Sequence, residues 1–203
     1  MKRSFPLILS LIFITTIATA KSAPVFTNEC GNHQQAVILA NLIKQDSEQQ
    51  RAELRCNKLL TALAQDKARI MAEHGMVMHN LDGSPNSHLR NGGYQLPDYY
   101  GSMMSNQVEA IAGGYTSADS AWRAFKQSTA HRQHLLGELP FYLEQDEIGV
   151  AFLRDTNAPH VEYWVVYVSK GYMPNQSNQF SAEQIPNKSI FDPVLKPDQQ
   201  QRK

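Results

Sequence analysis

The sequence predicts an α+β fold, and three observations carry that prediction. Apolar residues recur at helical spacing through 35–74. Two runs rich in β-branched and aromatic residues, 147–153 and 161–169, follow the pattern of strands. Between the helical and strand regions lies Val108-Glu109-Ala110-Ile111-Ala112-Gly113-Gly114, a short buried-type strand that carries one carboxylate and closes on two glycines. The chain has 203 residues, 42% apolar and 19% charged, which is enough for one domain with a substantial core.

Residues 1–20 have the grammar of a secretory signal peptide: Met1-Lys2-Arg3, an apolar or hydroxylated run from Phe5 to Ile17, and the small-residue ending Ala18-Thr19-Ala20. The run is shorter than the roughly 18 to 20 residues of a spanning helix, so the mature protein is expected to carry no transmembrane anchor. Export to the periplasm or the extracellular medium is the implied address. Removal of 1–20 takes away Lys2 and Arg3 and no acid, leaving 17 basic and 19 acidic residues, a net charge of about −2. Such a balance offers nothing to nucleic acid. Cys30 and Cys56 both lie in the exported part and form no Cys-x-x-Cys pair, so one disulfide is expected.

After an N-terminal segment, 21–32, the domain itself is expected over 33–172. Its first helix is read at Gln35–Lys44, followed by a polar stretch, 45–55, that extends the helix or loops. Asn57 is placed to cap a second helix with an inner face of Leu59, Leu60, Leu63, Ala64, Ala68, Met71 and Ala72, and Gly75 to end it in a left-handed conformation. Met71, Met76 and Met78 read as core. An Asp82-Gly83 turn then leads to Ser84 as cap and Pro85 as first residue of a short helix that runs to Arg90 and stops at Gly92-Gly93. Residues 95–106 read as a long loop. Thr116-Ser117-Ala118-Asp119 resembles a capping box before a helix bearing Ala121, Trp122 and Phe125, and Ser128 reads as the cap of the next helical turn. Beyond Gly137 the pattern turns to strands, joined by a hairpin at 155–159. The polar residues 173–203 are expected to be mostly disordered, with Ile190-Phe191 and Val194-Leu195 able to dock.

A lone glutamate in an apolar strand requires a compensating partner, and His79 and His131 sit at loop or short-helix positions able to supply one. The order of signals is informative here: the helix leading to His79, the Asp-Gly turn, Gly93-Tyr94, the Glu109 strand, Trp122, Ser128-x-x-His131-Arg132, Ile148-Gly149-Val150 and Tyr163-Trp164. Over about residues 33–172 this set resembles the bacterial SCP-like branch of the CAP superfamily, named for cysteine-rich secretory proteins, antigen five and pathogenesis-related proteins. The resemblance implies a three-layer α-β-α sandwich, a small antiparallel sheet covered by helices on both faces. It places His79 and His131 at the family's cleft histidines and Glu109 at the glutamate of its Gly-Glu-Asn-Ile-Ala motif. Val108 stands where that motif has Gly and Ala110 where it has Asn. The second acid of many eukaryotic members has no counterpart, since Lys126 and Gln127 follow Trp122.

Two imidazoles and a carboxylate can hold zinc or another divalent cation with open coordination positions, and the resemblance implies such a site at His79 and His131. The same three side chains also suit a hydrogen-bonded cluster that neutralises Glu109. As an enzyme the chain would be a metal-assisted or acid/base hydrolase of peptide or cell-wall material, with Glu109 or His131 as general base. It lacks a Gly-x-Ser-x-Gly elbow, and Asp82, Asp98 and Glu138 are acids without a motif around them. The expected role is therefore a binding module for a lipid, glycan or peptide, using the cleft and the loop of Tyr99, Tyr100, Met103 and Met104.

Overall fold

The computed structural model describes residues 30–101, 105–171, 180–181, 183–186 and 195–197. The signal peptide, most of the N-terminal segment, Met103, Met104, Ile190, Phe191 and Val194 lie outside the described residues. Those described form six helices and four strands: α1 (Gln34–Lys44), β1 (Arg55–Cys56), α2 (Lys58–Glu73), α3 (Pro85–Asn91), β2 (Glu109–Gly113), α4 (Ala118–Gln127), α5 (Thr129–Leu136), α6 (Pro140–Leu143), β3 (Glu147–Arg154) and β4 (Glu162–Ser169). The fold is mixed α+β.

The helix ends follow local chemistry. The Asn57 side chain accepts from the N–H groups of Leu59 and Leu60 at the start of α2, which ends before Gly75 at φ +64°. Ser84 accepts from Ser87 N–H ahead of Pro85, and Ser117 pairs reciprocally with Ser120 at α4. Ser128 departs from expectation. It makes no side-chain cap for α5, and its hydroxyl bonds the ring of His131 instead.

The strands lie in the order β1-β3-β4-β2. β3 and β4 form the expected hairpin, in register from Glu147 opposite Ser169 to Arg154 opposite Glu162, and β2 pairs antiparallel with β4. The sheet is mixed rather than antiparallel, because β1 runs parallel to β3. The polar stretch before it gives no strand pattern. Tertiary bonds create this strand: Arg55 N–H donates to Asp146 O, and Asn57 N–H to Ile148 O. Cys30 and Gly31 continue along the same edge, where Val150 N–H donates to Cys30 O at 2.9 Å. The disulfide Cys30–Cys56 joins these two segments, with Cα atoms 4.5 Å apart.

Alternation along the strands feeds two separate cores. Tyr163, Val165, Tyr167, Ala151 and Ile111 pack with α2, with Leu89 of α3 and with Phe141 and Tyr142 of α6. Trp164, Val166, Val168, Ile148, Val150, Ala110 and Ala112 pack with Leu39 and Ile43 of α1, Trp122 and Phe125 of α4, and Leu135 and Leu136 of α5. Helix α2 rides directly on Gly149. A Cβ there would meet the backbone of Leu60 and Thr61 at 2.2–2.3 Å, which is why glycine interrupts the apolar run of β3.

Further features differ from the sequence reading. Leu59, expected on the inner face of α2, is 39% exposed, and Met76, read as core, is 40% exposed. α6 forms where only strands were expected, started by Pro140. Parts of the tail lie against the domain: the Phe180 ring is 5.6 Å from that of Phe141 and Pro186 O accepts from Gln107 Nε2, contacts not expected, while Leu195, named as able to dock, bridges to Ala112.

Candidate functional site

Glu109 opens β2 directly opposite Tyr167 and shares its face of the sheet, the one covered by α2. Asn106 shapes the approach. Its side-chain oxygen accepts from Glu109 N–H at 2.9 Å and Val108 N–H at 3.3 Å, and its amide nitrogen donates to Glu109 O at 3.2 Å. His79 lies in the loop after α2. That loop is pinned from beneath by Lys67 of α2, whose ammonium donates to His79 O at 2.8 Å and Leu81 O at 3.0 Å.

These elements bring His79 and Glu109 into contact. His79 Nδ1 lies 2.7 Å from Glu109 Oε1, and Tyr167 OH donates to Glu109 Oε2 at 2.8 Å. The acceptor-only carboxylate makes Nδ1 the protonated nitrogen in this pair. The set is closed to solvent, with His79 2%, Glu109 1% and Tyr167 0% exposed. Burial by itself would raise the Glu109 carboxyl. The charge of Lys67, with the His79 and Tyr167 hydrogen bonds, outweighs it and holds the carboxyl below its ordinary value. Burial and the adjacent carboxylate push the Tyr167 phenol well above its own.

His131 does not join this pair. It is 5% exposed, its Nδ1 lies 2.8 Å from Ser128 Oγ, and its ring packs 5.3 Å from that of Phe125, within the core on the α1 side of the sheet. Strand alternation is the reason. Glu109 points toward α2 while Ala110 points toward α1, and α5 follows its apolar residues Leu135 and Leu136 to the second face. The expected convergence of three residues is thus corrected to a pair, and no group of three His, Cys, Asp or Glu side chains among the described residues is placed to hold a metal ion. His134 is fully buried, with Nε2 3.2 Å from Val168 O, and His88 Nε2 lies 3.2 Å from Leu63 O. Both serve packing.

Sequence reasoning missed Lys67, Asn106 and Tyr167. Lys67 left a legible signal, since it sits between Leu63, Ala64, Ala68 and Met71 on an apolar helix face, where a lysine demands a partner. Asn106 and Tyr167 reach Glu109 only through the turn before β2 and the register with β4.

Among the described residues, two concavities lie elsewhere. One, of about 500 Å³, is lined by Arg90, Gly93, Tyr94, Gln95, Leu96 and Asp98. Its walls are held from behind: Arg90 donates to Tyr100 O at 2.7 Å and Gly101 O at 3.1 Å, and Tyr94 OH donates to Glu147 Oε2 at 2.7 Å. Tyr99 OH donates to Glu144, which also takes Lys170 Nζ at 2.7 Å. The second, of about 600 Å³, runs along Lys44, Gln49, Arg51, Leu54, Arg55 and Cys56. Neither is lined by His79, Glu109 or His131.

The architecture defines a mixed α+β domain with a buried carboxylate–imidazole pair. No family model matches the chain, and no curated protein matches it. Among solved structures it is similar to an outer surface protein from Borrelia burgdorferi, with a TM-score of 0.51 and 19% identity over 67% of this chain and 91% of that one. At this identity the likeness concerns the fold. No helix of the described residues is long and apolar enough to cross a membrane.

Proposed function

We propose that this chain is an exported CAP/SCP-like domain that acts as a binding module for a polar chain ligand, a glycan or a peptide, taken in the concavity between Arg90 and Asp98. The observation that carries this reading is the closure of the Glu109 site: both carboxylate oxygens are already bonded and the three side chains are at most 2% exposed, so the pair has the environment of a structural tie. The open surface instead presents a guanidinium, an amide and a carboxylate on a fixed backbone, which suits a polar ligand better than a lipid tail. The ordered motifs and the helices on both faces of the sheet support the three-layer CAP architecture. The disulfide and the surface location named for the structural neighbour support export.

The test titrates the purified mature chain with soluble cell-wall glycan fragments and, separately, with a set of short peptides. Saturable binding is expected to one of the two, weakened in Arg90→Ala and Asp98→Asn and unchanged in His131→Ala. Turnover of either ligand that disappears in Glu109→Gln would overturn the binding reading and favour a hydrolase.

A further inference from the structure

We propose that the outer edge of β2 is a strand-addition site, which the chain fills with its own C-terminal segment and which an extended segment of another polypeptide with an aliphatic anchor can take over. β2 is an end strand, and an end strand presents unpaired N–H and C=O groups to any chain that can lie beside it. Here the chain beside it is its own. Leu195 forms a parallel bridge with Ala112, and Gly113 N–H donates to Leu195 O at 3.1 Å. The leucine side chain packs on the α1-side core. Upstream, Pro186 O accepts from Gln107 Nε2 at 3.1 Å. Pro186 thus lies at Gln107 and Leu195 at Ala112, the order of β2 itself. Backbone pairing plus one apolar side chain seated in a core is the grammar of peptide recognition by strand addition.

The sequence makes this clasp short. Pro193 and Pro197 bracket Val194-Leu195-Lys196, and proline has no N–H to give a ladder. An extended partner without those prolines gains backbone bonds that the tail cannot make, provided it brings an aliphatic residue to the Leu195 position. The tail protects an otherwise open edge and is released by a better strand. It also competes from a tether, at an effective concentration on the order of millimolar.

The probe is a synthetic peptide with the sequence of residues 189–200, together with a version in which both prolines are replaced by valine. Each is titrated into the mature full-length chain, wild type and Leu195→Asp, while the amide resonances of Ala112 and Gly113 are followed. Both amides are expected to shift saturably in Leu195→Asp, with an apparent affinity about tenfold tighter than in wild type, because the tethered competitor is gone. The proline-free peptide should bind more tightly than the native one, and a peptide carrying Leu195→Asp should not bind. Should Leu195→Asp fail to fold, Leu195→Ala serves with the same readouts. Silence of Gly113 at millimolar peptide in a folded variant, or equal affinity in variant and wild type, overturns the proposal. So does a wild-type dimer in sedimentation that Leu195→Asp dissolves, since the strand would then belong to a second copy.

Discussion

The two faces of the sheet solve the same problem by opposite means. On the α1 side, Trp164, Trp122, Phe125 and a set of aliphatic side chains make a core from shape, with the Cys30–Cys56 bridge nearby on the β3 edge. On the α2 side the sheet buries Glu109, Lys67 and His79 beside five tyrosines, Tyr94, Tyr100, Tyr142, Tyr163 and Tyr167. The difference teaches what a buried polar network adds. An apolar face accepts any chain of suitable volume, whereas a carboxylate that must receive His79 and Tyr167 allows one loop position and one strand register. The α2 face holds the irregular segments 74–84, 92–101 and 105–108, which have little periodic sequence to place them. The α1 face holds regular helices that place themselves.

Removing the charge at the centre of the α2 face is the largest expected perturbation. Glu109→Leu leaves the Lys67 ammonium buried without its counter-charge and the His79 ring without its acceptor, and should cost about 3–5 kcal/mol in urea denaturation. A cost under about 1 kcal/mol would mean that this face, too, is held by shape alone. The same group sets an acid limit. Because its folded value is depressed, its contribution is fully present above the ordinary glutamate range, near pH 4 to 5, and is lost as pH falls through the folded value. Wild type should therefore lose more stability between pH 5 and pH 3 than Glu109→Gln does, measured as the difference in unfolding midpoint.

Next in size is the bridge. Cys30→Ala with Cys56→Ala should cost about 3 kcal/mol, the loop-closure entropy of a 26-residue separation, with little change in the chemical shifts of the α2 face. Loss of folding altogether would place the bridge on a par with the Glu109 network. Arg51 probes where the two layers meet. Its buried guanidinium donates to His134 O, Leu135 O and Tyr142 O at 2.7, 2.9 and 3.1 Å, closing the ends of α5 and α6. Arg51→Met should cost about 2 kcal/mol, and Arg51→Lys should restore less than half of it, because one ammonium cannot span three carbonyls. The smallest effect is expected in the tail. Phe180→Ala removes a ring packed on Tyr99 and Phe141 and should lower stability by about 1 kcal/mol, while an unchanged midpoint would detach the tail from this face.

Helices were legible wherever the sequence carried both a periodic stripe and a cap: Asn57 and Gly75 bracket α2, and Ser84-Pro85 opens α3 within a residue of expectation. β1 was not legible, because two residues have no period and their pairing depends on Asp146 and Ile148, some ninety positions away. Of the candidate site, the need for a partner at Glu109 followed from the composition around a buried acid, with His79 named as one of two candidate histidines. The exclusion of His131 did not, because a sequence states that a histidine lies on a short helix and says nothing of which side of a sheet that helix covers.

The chain by itself determined helices α1 to α5, the β3–β4 hairpin, the two half-cystines and the requirement that Glu109 be compensated, since each rests on interactions within a few turns or on the bare cost of burying a charge. Only the tertiary structure decided that Lys67 and Tyr167 share that compensation, that His131 lies across the sheet, and that Leu195 closes the edge of β2. The physical reason is common to all three: strand alternation and register convert a shift of one residue into a change of face, and register is fixed by contacts between segments remote in sequence.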